Sequence, residues 1–275
     1  MPRNNKMSDF DLTTTCKNNP RQANVICMKW GTLYAAHYVN RLYASVSRNM
    51  KRKFRFLCFT DNATGIAQQV ECHPLTEVQF SASEKDRRWL KLGIFRNSLA
   101  NLEGPCLFLD LDVVITESID DLFDYAPGKF CISHDWWMPY KHLRAKLVNL
   151  PKIGNTSVFR FEAGTLEYVL THFEKNSDQI ISQYSLEQEY ITRAVENQIQ
   201  WWPASWIRSF RRHCRPAFPL NLLKQPSVPS GGKIIAFHGL PKLDDAAAGY
   251  MSRYPHKICR RSPWIDKHWS DQLNT

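Results

Sequence analysis

Apolar residues along this chain gather in short runs bounded by polar or glycine-containing stretches. The runs at 25–28, 54–60, 106–115, 130–133, 157–161 and 233–237 read as buried strands. Between them, residues 34–47, 89–99, 166–173 and 187–196 carry apolar positions at helical spacing. Strand and helix therefore alternate through the early part of the chain, which predicts an α/β fold with a mainly parallel central sheet flanked by helices on both faces. Residues 201–232 break this pattern. Trp201-Trp202-Pro203, Pro216, Pro219, Pro226, Pro229 and Gly231-Gly232 interrupt any regular element, so a long, partly ordered connection is expected there, serving as a substrate-contacting loop or lid or else lacking order. There is no internal repeat and no low-complexity tract.

A chain of 275 residues can bury a core without disulfides. One catalytic domain is expected over 24–243, with a polar segment at 1–23 and a basic, aromatic segment at 244–275. No apolar run approaches the roughly 20 residues that cross a bilayer. The first residues show no apolar core followed by a small-residue cleavage site, so the expected address is the cytoplasm. The eight cysteines are scattered and form no CxxC pair, which argues against a disulfide framework; those in strands are expected to pack as small hydrophobes. The net charge of +10 favours a polyanionic partner: nucleic acid, an anionic membrane or a phosphorylated substrate. Basic residues concentrate at 208–215 (RSFRRHCR) and 253–261. These stretches fit either a solvated face or peripheral contact with an anionic acceptor or the cytoplasmic face of a membrane.

The segment with the most chemistry is 106–115, CLFLDLDVVI, where two carboxylates interrupt an apolar strand. Residues i and i+2 of an extended chain point to one side, so Asp110 and Asp112 can converge on one cation if the strand ends there. Oxygen ligands with room left for water and phosphate suit Mn²⁺ or Mg²⁺. Ligands of open α/β sheets gather at the carboxyl ends of strands, where this pair falls. The competing reading is a pair of turn or capping carboxylates.

Four further motifs follow in order. Residues 25–31 lead to Tyr34, and Asp110-Leu-Asp112 is followed by Asn155-Thr-Ser157-Val158, by Glu187-Gln-Glu189, and by His238-Gly239 with Lys242. In that order the chain, over about 24–243, resembles the GT-A glycosyltransferases, in particular the retaining family-eight galactosyl- and glucosyltransferases. It departs from their pattern at Ser157, where glycine is usual, at EQE in place of DQD, and in the compact HGLPK. The resemblance implies a GT-A type fold. It also implies transfer of a sugar from a nucleoside-diphosphate donor, a UDP-sugar first, to a saccharide or lipid-linked acceptor in glycan or surface polysaccharide synthesis. Asp110, Asp112 and His238 would surround Mn²⁺ or Mg²⁺.

Read one by one, the residues leave several roles open. Two carboxylates nearly cancel a divalent charge, so a departing diphosphate needs more positive groups. Lys242 can supply one, worth at most about 4 kcal/mol at 4 Å and an effective dielectric near 20, and the Gly239 N–H can approach a phosphate unobstructed. His238 follows a strand-like run and is either a third ligand or a hydrogen-bonded structural histidine. Lys29 and Gly31 end the first strand, where a nucleoside should rest. Tyr34 either stacks on a base or packs in the core, and Asp61 either accepts from base or ribose or forms a turn with Asn62. Lys91 and Arg96 lie five residues apart, so only one of them should face a ligand; the resemblance points to Arg96, and a solvated helix face is the competing reading. Asn155 and Gln188 suit sugar hydroxyls, and Glu187 or Glu189 could orient a sugar. If configuration is inverted, Glu189 or Asp135 is the expected general base; if retained, the leaving phosphate takes that task, and the resemblance leans to retention. His134-Asp135-Trp136-Trp137 and the later Trp201, Trp202 and Trp206 suit either sugar platforms or the core.

Two other function classes remain. A nucleic-acid or anionic-lipid binding module would bind with steep salt dependence and ignore Asp110 and Asp112, and it shows no nucleic-acid motif. A nucleotidyltransferase would usually open on a Gly-rich phosphate loop, which KWGTLY lacks, and would release pyrophosphate.

Overall fold

The computed structural model describes residues 22–80, 84–136 and 152–273, with the backbone alone for 84–86. Trp137, Cys16 and nearly all of the polar segment at 1–23 lie outside the described residues. Strands β1 (Ala23–Lys29), β2 (Phe54–Thr60), β3 (Glu71–Pro74), β4 (Pro105–Leu109), β6 (Phe130–His134), β7 (Gly154–Glu162) and β8 (Ile199–Trp201) form a seven-stranded sheet in the order β3-β2-β1-β4-β7-β6-β8. Strands β5 (Val113–Ile115), β9 (Ile207–Ser209) and β10 (Ile234–Ala236) form a second, three-stranded sheet in the order β5-β10-β9. The α-helices are α1 (Ala36–Asn49), α2 (Asp120–Asp124), α3 (Glu167–Lys175), α4 (Ser177–Gln183), α5 (Glu187–Ala194), α6 (Leu243–Ala248) and α7 (Pro263–His268).

The large sheet is mainly parallel, as the alternation of elements predicts. Its first four strands run parallel, and β8 runs parallel to β6. β7 is the exception, antiparallel to both β4 and β6. Every residue of β1 is buried because both faces of the sheet are covered. Alternate residues feed two cores. Val25, Cys27, Phe56, Cys58, Leu107 and Leu109 pack with α1 and the small sheet. Ile26, Met28, Leu57, Phe59 and Phe108 pack with Trp89, Phe95, α3 and α5. The C-terminal stretch belongs to the first of these cores, with Leu243, Ala246, Cys259, Ile265 and Trp269 buried there. Arg48 and Ser45 of α1 donate to the His268 carbonyl and hold it in place.

Three elements differ from expectation. The apolar run at 106–115 is two strands in two sheets, broken at Asp110-Leu111-Asp112. The helix expected at 89–99 is a 3₁₀ helix over Glu84–Phe95. With three residues per turn, Trp89, Leu92 and Phe95 share one buried face and Lys91 and Ile94 another. Gly93 allows this element to lie against the 76–78 segment, since a Cβ there would sit 2.0 Å from Thr76 Oγ1. The connection at 201–232 is built from short pieces: β9, a π-helical turn at Phe210–Cys214 and a 3₁₀ turn at Leu220–Leu222. Its prolines limit each piece rather than preventing order.

One buried charge organises the far side of the large sheet. Arg160 on β7 is fully buried, and its two terminal nitrogens donate to the carbonyls of Leu122, Phe123, Tyr125, Ala126 and Lys129 at 2.5–3.2 Å. The guanidinium thus gathers the C-terminal carbonyls of α2 and the turn after it, which an apolar side chain would leave without donors. Arg160→Leu should lower unfolding free energy by about 3–5 kcal/mol in chemical denaturation, because several buried acceptors lose their partner together. A loss below about 1 kcal/mol would show that the carbonyl cage contributes little.

Candidate active site

β4 ends at Leu109, and the chain turns before β5 begins. The turn is anchored at three points: the Asp110 N–H donates to the Ser157 carbonyl of β7 (2.8 Å), Leu111 is buried in the core, and the Phe237 N–H donates to the Asp112 carbonyl (2.9 Å). The carboxylates of Asp110 and Asp112 therefore converge because a strand break aims them, not because a continuous pleat does. They line a cavity of about 210 Å³ together with Met28, Trp30, Leu33, Tyr34, Arg88, Lys91, Leu111 and Glu187.

Lys91 is the cation that meets this pair. Its ammonium is buried and donates to Asp110 Oδ1 (3.0 Å) and the Thr156 carbonyl (3.1 Å), with Glu187 Oε1 at 3.7 Å. Glu187 in turn accepts from Thr156 Oγ1 at 3.0 Å. Burial alone would lower the Lys91 pKa, but the charges of Asp110 and Glu187 outweigh it and push it up, so the ammonium stays charged. Arg96 points elsewhere, donating to the Glu77 carbonyl and pairing with Glu174 at 2.9 Å. The expectation that favoured Arg96 is therefore corrected: Arg96 lies just beyond the 3₁₀ helix, where the Glu77 carbonyl and Glu174 hold it, and Lys91 takes the site.

Asp112 accepts from the Tyr34 hydroxyl at 2.7 Å. Burial, and then the neighbouring Asp110 charge, push its pKa up to about 6 against the opposing effects of Tyr34, Lys242 and Lys91. Burial and the Asp112 charge likewise raise the Tyr34 phenol far above its ordinary value. Tyr34 stands 4.8 Å from Tyr38 between ring centroids, and the Lys242 ammonium lies 5.8 Å from the Tyr34 ring. Tyr38 donates to Asp244 at the start of α6, which fixes the loop bearing Lys242 against α1.

His238 follows the residue that bonds the Asp112 carbonyl, so its backbone lies beside the aspartate turn. Its Nε2 pairs with Ser209 Oγ at 2.6 Å, and its ring stacks on Trp136 with centroids 6.2 Å apart. Burial, then Arg211, Arg212 and His213, push its pKa down to about 4, which keeps the imidazole neutral. Gly239, next along, adopts a left-handed φ of +73°, and Arg211 Nη1 lies 3.8 Å from where a Cβ would stand. Among the described residues no group of three or more His, Cys, Asp or Glu side chains lies poised to hold a metal ion. The aspartate pair nevertheless has the chemistry for a hard cation: two oxygen donors whose mutual repulsion a divalent charge would relieve.

The remaining expected residues fall around this centre. Lys29 is buried and donates to the Asn62 carbonyl (3.3 Å), and the Gly31 N–H donates to Asp61 (2.8 Å), so both tie the ends of β1 and β2 together. Asn155 Nδ2 donates to Asp135 at 3.3 Å beside the β6–β7 register shift. Trp136, the next residue, stacks on His238 and meets His213 edge-on. Gln188 is half-buried on the first turn of α5, and Glu189 accepts from the Ser185 N–H, an N-terminal capping contact. Trp201 stacks on His134 with centroids 4.0 Å apart, Trp202 is buried, and Trp206 packs edge-on against Tyr125, so this group serves the interior. Trp30, Arg88, Ser209 and the placement of Arg211 escaped sequence reasoning. Trp30 alone carried a signal, as the residue directly beyond β1.

Removing one partner of a buried ionic cluster leaves the others uncompensated. Lys91→Met should therefore cost about 3 kcal/mol or more of stability in urea, with Lys91→Arg recovering only part of it. Stability of Lys91→Met within 1 kcal/mol of the parent, on the order of experimental scatter, would remove Lys91 from its central place.

No protein-family model matches the sequence, and no curated protein matches it. Solved structures do resemble the fold. The galactosyltransferase LgtC, in complex with donor and acceptor sugar analogues, superposes with a TM-score of 0.54 at 12% identity, over 80% of this chain and 88% of that one. The bifunctional glycosyltransferase WbbM in its apo form gives 0.54 at 13% identity, over 81% of this chain and 46% of that one. Mouse xyloside xylosyltransferase 1 gives 0.50 at 14% identity, over 81% and 99%. The chain thus has the GT-A type fold of these glycosyltransferases.

Proposed function

We propose that this chain transfers a sugar from a nucleoside-diphosphate-sugar, in the first place a UDP-sugar, to a saccharide or lipid-linked acceptor. The observation that carries this reading is the convergence of Asp110 and Asp112 at the carboxyl end of β4, beside Lys242 and Tyr34, in a fold shared with glycosyltransferases.

Asp110 and Asp112 would hold Mn²⁺ or Mg²⁺, which when bound supplies positive charge to the diphosphate and lowers the cost of its departure. Lys91 fixes the bite of the pair by holding Asp110. Tyr34 does the same for Asp112 through its hydroxyl, and both groups stay protonated at neutral pH. Lys242, Arg211 and the Gly239 N–H face the diphosphate and stabilise the charge that develops on it. His238 is neutral and would give up its Ser209 partner to join the aspartates in holding the ion. Lys29, Gly31 and Asp61 frame the nucleoside end, with Tyr34 and Trp30 as its aromatic walls. Asn155 and Gln188 address sugar hydroxyls, and Asp135 and Glu189 are the acidic groups assigned to the acceptor. For an inverting course Asp135 is the better placed base, since Glu189 is turned back to cap α5.

Asp112→Ala should reduce metal-dependent hydrolysis of nucleotide sugars by at least about 10²-fold and abolish metal-dependent binding of the nucleoside diphosphate in calorimetry. Unchanged turnover, or pyrophosphate among the products, overturns the assignment. Lys242→Ala should weaken nucleoside-diphosphate binding by roughly tenfold or more while leaving affinity for the free nucleoside untouched. Equal losses for both ligands would count against a phosphate contact.

A further inference from the structure

Among the described residues, the exposed large apolar side chains are not spread evenly. Phe218, Leu220, Leu223, Met251 and Tyr254 lie on two loops, with Leu223 77% and Met251 78% exposed. The loops are far apart in sequence but pinned together. Asn221, itself buried, donates from its amide nitrogen to the Pro255 carbonyl (2.8 Å) and the Ile258 carbonyl (2.9 Å). Arg260 donates to the Leu222 carbonyl (3.2 Å) and Arg215 to the Lys257 carbonyl (3.3 Å). An exposed apolar cluster on a braced platform calls for a partner.

The charge around the cluster says which kind. Residues 197–243 contain seven Lys and Arg and no Asp or Glu, and residues 246–265 contain four Lys and Arg and no acid. These two stretches, which carry both loops, hold more positive charge than the net +10 of the whole chain. Within the patch, the Arg253 and Lys257 side chains lie over the Tyr254 ring at 4.7 and 4.8 Å, so cations flank the apolar tips. A two-fold contact between copies would bring these cation-rich loops onto themselves and set Arg253 and Lys257 against their own copies, which disfavours a second copy as the occupant. An interface with apolar depth below a layer of negative charge satisfies both properties at once.

We infer that the braced loops around residues 215–224 and 250–260 form a docking surface for an anionic lipid bilayer, with Phe218, Leu220, Leu223, Met251 and Tyr254 entering the headgroup boundary and the flanking cations meeting lipid phosphates. Arg215 directly follows the π-helical turn that carries Arg211 beside Gly239, so membrane contact sits one short segment from the proposed diphosphate loop. The inference does not rest on the reaction proposed above, and its test reads binding rather than turnover.

The purified chain is to be sedimented with vesicles of phosphatidylcholine and with vesicles of equal parts phosphatidylcholine and phosphatidylglycerol, at low and high salt. The expected result is pelleting with the mixed vesicles alone, weakened by salt. Leu223→Asp with Met251→Asp, and separately Arg253→Glu with Lys257→Glu, should each weaken partition by at least about tenfold at an unchanged melting temperature. Nucleoside-diphosphate affinity should be the same in all three proteins, so loss of the docking surface and failure of the glycosyl-transfer reading are told apart. The inference is overturned if the parent protein pellets with neither vesicle, if it pellets equally with both at either salt, or if either double variant binds as the parent does. It is equally overturned if light scattering shows self-association that the apolar variant abolishes while vesicles pellet nothing.

Discussion

The cleft depends on one buried ammonium. Lys91 sits in the interior with Asp110, Glu187 and the Thr156 carbonyl as its oxygen partners, and each comes from a different element. A cation in that position cannot be left without oxygens, so the 3₁₀ helix, the end of β4, the body of β7 and the first turn of α5 are drawn to one point. Buried ion pairs add little net stability compared with apolar packing, but they tolerate few alternative arrangements. Here that intolerance fixes a carboxylate at the mouth of the large sheet.

Around that point the structure separates two tasks. The large sheet provides a rigid floor, with β1 buried along its whole length and the β1 and β2 ends laced by Lys29, Gly31 and Asp61. The small sheet and the segments after it bring positive groups close by, with Arg211 near Gly239 and Lys242 near the Tyr34 ring. Trp136 stacks on His238 from the large-sheet side, so an aromatic contact bridges the two.

Much of this was legible in the sequence, and the exceptions have physical reasons. β2 runs over the residues that its apolar run predicted, because five successive buried positions from Phe56 to Thr60 leave little room for charge. The break inside 106–115 was invisible to hydrophobicity, since β5 is as apolar as β4 and only the aspartates mark the change of sheet. Strand β3 alternates half-buried and exposed positions at a sheet edge and gave too weak a pattern to register. Asp110, Asp112, Tyr34 and Lys242 were found by type and spacing, and they do gather. The choice between Lys91 and Arg96 was not decidable that way, because it turns on Glu174 and Glu187, which lie some 80 to 100 residues further on and compete for the two cations. Glu189 likewise has the right chemistry, but a local backbone donor captures it.

The Asp110–Asp112 turn hangs from two separate supports: Asp110 from β7 in the large sheet, Asp112 from the residue just beyond β10 in the small one, with Leu111 plugged into the core between them. The gap between the two carboxylates is accordingly a calliper whose arms are mounted on different walls. Its opening reflects how the sheets lean on each other more than the rotamers of the aspartates. A remote substitution that swells or shrinks the packing around Leu111 would change that spacing without touching either acid, and with it the radius of the ion proposed to bridge the pair.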